Sequence, residues 1–148
     1  MVSELKFIAQ QFNNLKIILV GASQGAAFSN AVMRQLGELS QVYSIELGIF
    51  FPHMPRRVVT EKTLAIDNNG VMADPMSQRN LWVGFKVYLT APFHWAKYQL
   101  QGKPQKFTYC INAPGHNYQW EYPEVKGQIL DFLNLNFCPE DNLEVRIQ

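Results

Sequence analysis

Two cysteines in 148 residues are too few for a disulfide scaffold, and Cys110 and Cys138 do not make the paired spacing of a metal site. They suit buried thiols in a reducing, cytoplasmic setting. The chain also lacks any apolar run long enough to cross a bilayer. Its clearest short run, residues 17–20, leads straight into a turn, so no secretory leader is expected in it. A soluble or at most peripheral protein with no integral membrane association is expected. Charge of one sign is missing too: 13 basic residues face 12 acidic ones, for a formal net charge of +1. With the basic residues dispersed, neither nucleic acid nor an anionic membrane is an expected partner. The one basic doublet, Arg56-Arg57, reads as a solvated loop pair. There is no internal repeat and no low-complexity tract. With 47% hydrophobic and 17% charged positions, the chain suits a single domain over residues 1–148 with a sizeable core.

What is present is organised as alternating helices and strands. Apolar residues Leu5, Phe7, Ile8 and Phe12 predict a helix over 2–12, stopped by Asn13-Asn14. Lys16-Ile17-Ile18-Leu19-Val20 is a strand pattern and residues 24–36 have helical periodicity. Further strands are expected over 42–51, 62–66 and 106–112, with a last helix over 123–133. Four strands joined by long crossovers imply a parallel sheet, because parallel neighbours need such connections. The expected fold class is α/β, a three-layer sandwich with a short, mostly parallel sheet. Its first strand would lie on an open edge, where a second copy could pair as a homodimer.

Between the strands at 62–66 and 106–112, Leu81, Trp82, Phe85, Tyr88 and Leu89 recur at helical spacing. Pro92 is expected to restart the chain before Phe93, Trp95 and Tyr98. These aromatics read first as core and crossover packing. The sharper reading makes them a pocket for an acyl chain, opposite Phe50, Phe51 and Met54, or an interface.

The motif that carries chemistry is Gly21-Ala22-Ser23-Gln24-Gly25, set between a strand and a helix. In that context G-x-S-x-G holds a serine on a sharp turn with its hydroxyl outward, at the positive end of a helix dipole. A Cβ at Gly21 or Gly25 is expected to crowd the turn. Histidines at 53, 94 and 116 compete as a base. His116 stands between the last predicted strand and the last helix, His53 suits a pocket rim, and His94 reads as structural.

In these residues the chain resembles the α/β-hydrolase superfamily of serine hydrolases. The stretch from Leu19 to Ala27 is most similar to the elbow of carboxylesterases and acyl-protein thioesterases. The resemblance runs to about Phe137 and covers what is the C-terminal half of that fold, a reduced α/β-hydrolase domain. It implies a triad in the order Ser, acid, His: Ser23 as nucleophile, Asp74 as the acid, with Asp67 the alternative, and His116 as base. It also implies the Gln24 amide as one oxyanion donor; the second donor comes from upstream in the family, where this chain has only residues 1–15. The implied substrate is a small-molecule ester or thioester, cleaved through an acyl-serine with no metal or organic cofactor. A lipase-like enzyme acting at a lipid surface is a further possibility within that class. The alternatives are a non-catalytic hydrolase-like binding or structural module, an enzyme of weak activity, and a fragment of a longer hydrolase.

Overall fold

The computed structural model describes residues 1–37, 41–71, 74–77, 81–103, 105–110 and 115–138. Helix α1 (Val2–Gln11) is followed by β1 (Ile17–Ala22), α2 (Gln24–Leu36), β2 (Val42–Leu47), a 3-10 helix (Phe51–Arg56) and β3 (Thr63–Ile66). Then come α3 (Leu81–Leu100), a second 3-10 helix (Phe107–Cys110) and α4 (Pro123–Phe137). The strands form one parallel sheet in the order β1-β2-β3, and the protein is an α/β protein.

The alternation of side chains along the strands sorts the core into two layers. Ile17 and Leu19 of β1 and Val42 of β2 face Leu5 of α1 and Val32, Met33 and Leu36 of α2. Ile18, Tyr43, Ile45, Leu47 and Leu64 face the other way, against Ile129, Phe132 and Phe137 of α4. Helices therefore cover both faces, and β2, in the centre, is buried along nearly its whole length. No strand pairs with the outer side of β1 among the described residues, and Val20 there is exposed.

Several expectations change. The second strand stops at Leu47 because Gly48 turns to φ 53°, and Pro52 and Pro55 then favour a 3-10 helix over a ladder. The fourth strand does not form over Phe107–Cys110. This segment folds back on α3, with Phe107 edge-on to Trp95 at 6.5 Å, instead of pairing with β3. Ile111, Asn112, Ala113 and Pro114 lie outside the described residues, as do Met72 and Ala73 between Asp67 and Asp74. Helix α3 runs through Pro92, which has no backbone N–H to give to the carbonyl one turn back. Nor do its aromatics serve as core: Trp82, Phe85, Tyr88 and Phe93 are exposed while Val87 and Ala91 are buried. Cys110 is buried but Cys138 is exposed.

Arg57 is not a solvated loop residue. Its side chain is 6% exposed, and its Nε donates to Glu46 Oε2 at 2.9 Å while Nη1 reaches Asp67 Oδ2 at 2.6 Å. Glu46 is fully buried on β2 and also accepts from Asn30 Nδ2 (2.9 Å) and Ser44 Oγ (3.1 Å). The cluster ties α2, β2 and the segments flanking β3 together under the sheet's carboxyl edge. Arg57→Ala leaves Glu46 buried without its counter-charge and is expected to lower unfolding stability by about 3–5 kcal/mol. Urea denaturation checks this, and a loss below about 1 kcal/mol, the scale of an exposed ion pair, would contradict it.

Candidate active site

β1 delivers the chain to Ser23, whose backbone sits at φ 55°, ψ −113°. It is the one non-glycine residue at positive φ among the described residues. Such a conformation is costly for a residue with a Cβ and persists only where its surroundings hold it. Here the Ser23 N–H donates to the Leu47 carbonyl at 2.9 Å, and the Ser23 carbonyl accepts from the Ala27 N–H at 3.2 Å in the first turn of α2. A Cβ on Gly21 would lie 2.3 Å from the Gly25 carbonyl oxygen, so only glycine fits there. Gly25 differs from expectation. Its Cβ would meet open space, because on the first helical turn that direction points away from the strand. Gln24 opens α2, where backbone amides lack an intrahelical acceptor and can turn to an anion.

The acid and the base come from segments far apart in sequence. Asp74, beyond β3, is fully buried, and its Oδ2 lies 2.7 Å from His116 Nδ1. The same oxygen accepts the Tyr118 hydroxyl at 2.7 Å, while Oδ1 accepts the Met76 N–H at 2.8 Å. Burial pushes the Asp74 carboxyl up, but the hydrogen bonds from His116, Tyr118 and the Met76 amide outweigh it. Together they hold the carboxyl below its ordinary value. Burial, and then the adjacent Asp74 carboxylate, push the Tyr118 phenol far above its usual value, so it remains a donor. Asn69 Nδ2 donates to the Asn117 carbonyl at 3.0 Å. Residues 116, 117 and 118 are thus each tied to the post-β3 segment.

The link between the serine and this dyad is Gly48, immediately after β2. Ala22 and Leu47 are register partners, so Ser23 and Gly48 leave the sheet side by side. A Cβ on Gly48 would stand 2.4 Å from Asp74 Oδ2 and 2.5 Å from the Tyr118 ring. The missing side chain is therefore what lets the carboxylate approach the sheet end next to the serine's strand. Gly48 and Tyr118 escape sequence reasoning. The only signals are a glycine one step past a strand and a tyrosine two residues after a histidine, neither of which announces a long-range contact.

The alternative acid, Asp67, is occupied by Arg57 and has no bond to His116. His94 is exposed on α3. His53 lines a cavity of about 310 Å³ together with Gln24, Ala27, Phe28, Ile49 and Arg56. That cavity begins at the residue following Ser23. A larger one, about 600 Å³, lies by Gly37, Lys62 and Thr63, at the amino ends of the strands. Ligands in open parallel sheets bind at the carboxyl ends, which favours the smaller cavity. Ser23 and His116 are not hydrogen-bonded to each other, whereas Asp74 and His116 are. Among the described residues no group of three or more His, Cys, Asp or Glu side chains is arranged to hold a metal ion. No helix among them is long and apolar enough to cross a membrane.

In comparisons with known proteins, the chain matches no family model, no curated protein and no solved structure.

Proposed function

We propose that this chain is a serine hydrolase built on a reduced α/β-hydrolase fold, cleaving a carboxylic ester or thioester through an acyl-serine. The observation that carries the reading is the buried Asp74 bonded to His116 Nδ1 at 2.7 Å and packed against Gly48, which follows the strand paired with the one leading to the positive-φ Ser23. With Nδ1 held by Asp74, the other ring nitrogen, Nε2, is the one left to take the Ser23 hydroxyl proton. Ser23 Oγ then bonds to the substrate carbonyl carbon, and the Gln24 amide donates to the oxyanion. The carbon–heteroatom bond breaks as His116 returns the proton to the leaving group, and water repeats the sequence to free the acid. With one backbone donor assigned, turnover is expected to be modest. Losing an oxyanion donor costs about a hundredfold to a thousandfold in rate.

Exposure to a fluorophosphonate followed by mass spectrometry tests the reading. The expected result is one adduct, on the peptide containing Ser23. The absence of a Ser23–His116 hydrogen bond favours a second reading, a non-catalytic module that retains the turn. An unlabelled but folded protein would select that second reading and overturn the first. The buried thiol of Cys110 fits a reducing, cytoplasmic setting. The outer side of β1, unpaired among the described residues, leaves an edge along which a second copy could add.

A further inference from the structure

Helix α3 is oriented contrary to the usual rule for globular proteins. Val87 and Ala91, one turn apart, are buried and define its inner face. At about 3.6 residues per turn, Trp82, Phe85, Leu89, Phe93 and Leu100 fall on the opposite side. They are 71%, 55%, 55%, 77% and 89% exposed, respectively. An outward apolar stripe of this size needs something to cover it. Lys86 and Lys97, both exposed, run along one flank of the stripe.

The net charge of +1 conceals a sharp asymmetry. Residues 75–120 hold five basic side chains, at positions 79, 86, 97, 103 and 106, and no Asp or Glu. The rest of the chain holds eight basic and twelve acidic residues. The expectation drawn from total charge, that no anionic surface is a partner, therefore does not apply to this segment.

We propose that α3 lies on the surface of an anionic lipid bilayer, with its stripe in the interfacial region and Lys86 and Lys97 among the headgroups. Trp and Phe favour that boundary, and basic residues beside an apolar helix face add attraction to acidic lipid. A second copy is a poorer occupant. A two-fold interface would set one carboxylate-free, basic segment against another. The helix carries Lys86, Lys97 and Pro92 and does not qualify as a membrane span.

Lipid docking is read without turnover, so it stands or falls independently of the hydrolase assignment. The full chain is sedimented with phosphatidylcholine vesicles that contain or lack phosphatidylglycerol, and tryptophan emission is recorded. Binding is expected only with the anionic lipid, weakening as salt rises, with a blue shift that Trp82→Phe removes. Phe93→Ser is expected to lower affinity by roughly tenfold or more. Lys86→Gln and Lys97→Gln are each expected to lower it by about fivefold. These side chains are exposed, so circular dichroism should be unchanged; if Phe93→Ser does not fold, Leu100→Ser replaces it. The proposal is overturned by an absence of wild-type binding or by equal binding of the wild type and the stripe variant. A wild-type dimer that Phe93→Ser converts to monomers, with no vesicle binding, would also overturn it.

Discussion

Ser23→Ala is expected to lower kcat/KM for a short p-nitrophenyl ester by about a millionfold, to the level of assay background. His116→Ala is expected to do the same. The two losses are comparable because the residues act on one event: the hydroxyl attacks only as the imidazole removes its proton. For the same reason they should not add, and the double variant should be no slower than either single one. Ser23 sits at φ 55° with its N–H fixed to Leu47. An alanine there carries the same backbone strain, so stability should barely move. Steady-state kinetics alongside thermal melts separate the two effects. Retention of more than about a tenth of the wild-type rate in either variant would remove that residue from the chemistry.

Asp74→Asn is expected to lower kcat by about ten-thousandfold. The loss follows from which oxygen does what. Oδ1 accepts the Met76 N–H, so an asparagine keeps its carbonyl there and turns its NH2 toward His116 Nδ1 and the Tyr118 hydroxyl. Two donors then meet the new amide. The imidazole can accept that hydrogen bond only with its proton on Nε2, the nitrogen that must take the serine proton. Asp67→Asn should leave kcat close to wild type, since Asp67 serves Arg57. The reverse outcome would move the acid to Asp67. A second readout follows from the lowered Asp74 value. A carboxyl held below its unfolded value stabilises the fold above that unfolded value, and the contribution fades as pH falls through the lowered one. Asp74→Asn should therefore flatten the acid limb of the stability profile, as urea titrations at successive pH values would register.

Local chemistry was legible in the sequence and long-range approach was not. The helix over 24–36 has the bounds its periodicity gives, because glycine and serine punctuate one end and Gly37 the other. The runs at 16–20 and 62–66 were readable as short strands bounded by turns, and strands stand at Ile17–Ala22 and Thr63–Ile66, the first carrying on through Gly21 and Ala22 of the motif. The strand expected over 106–112, where Phe107, Tyr109 and Ile111 alternate in sequence, does not form over Phe107–Cys110. Which surface Phe107 packs on is decided by Trp95, not by the alternation. Arg57 looked like one half of an exposed doublet, since nothing nearby in sequence announces that Glu46 on a central strand is buried and takes Arg57 as its counter-charge. Gly48 and Tyr118 share that difficulty: each owes its place to a carboxylate many residues away.

The Asp74–His116 bond spans 42 residues, with Asn69–Asn117 and Tyr118–Asp74 fastened beside it. Everything from α3 to the second 3-10 helix therefore hangs from a closed base as an excursion. Closing a loop costs entropy that grows only with the logarithm of its length, about 0.6 kcal/mol for each doubling. The excursion is thus interchangeable in a way the sheet is not. A lineage could shorten it, extend it or rebuild its outer surface for a different setting while leaving the carboxylate and imidazole where they are. In such a lineage, diversity would gather between positions 78 and 114 while the residues at the clasp stayed as they are.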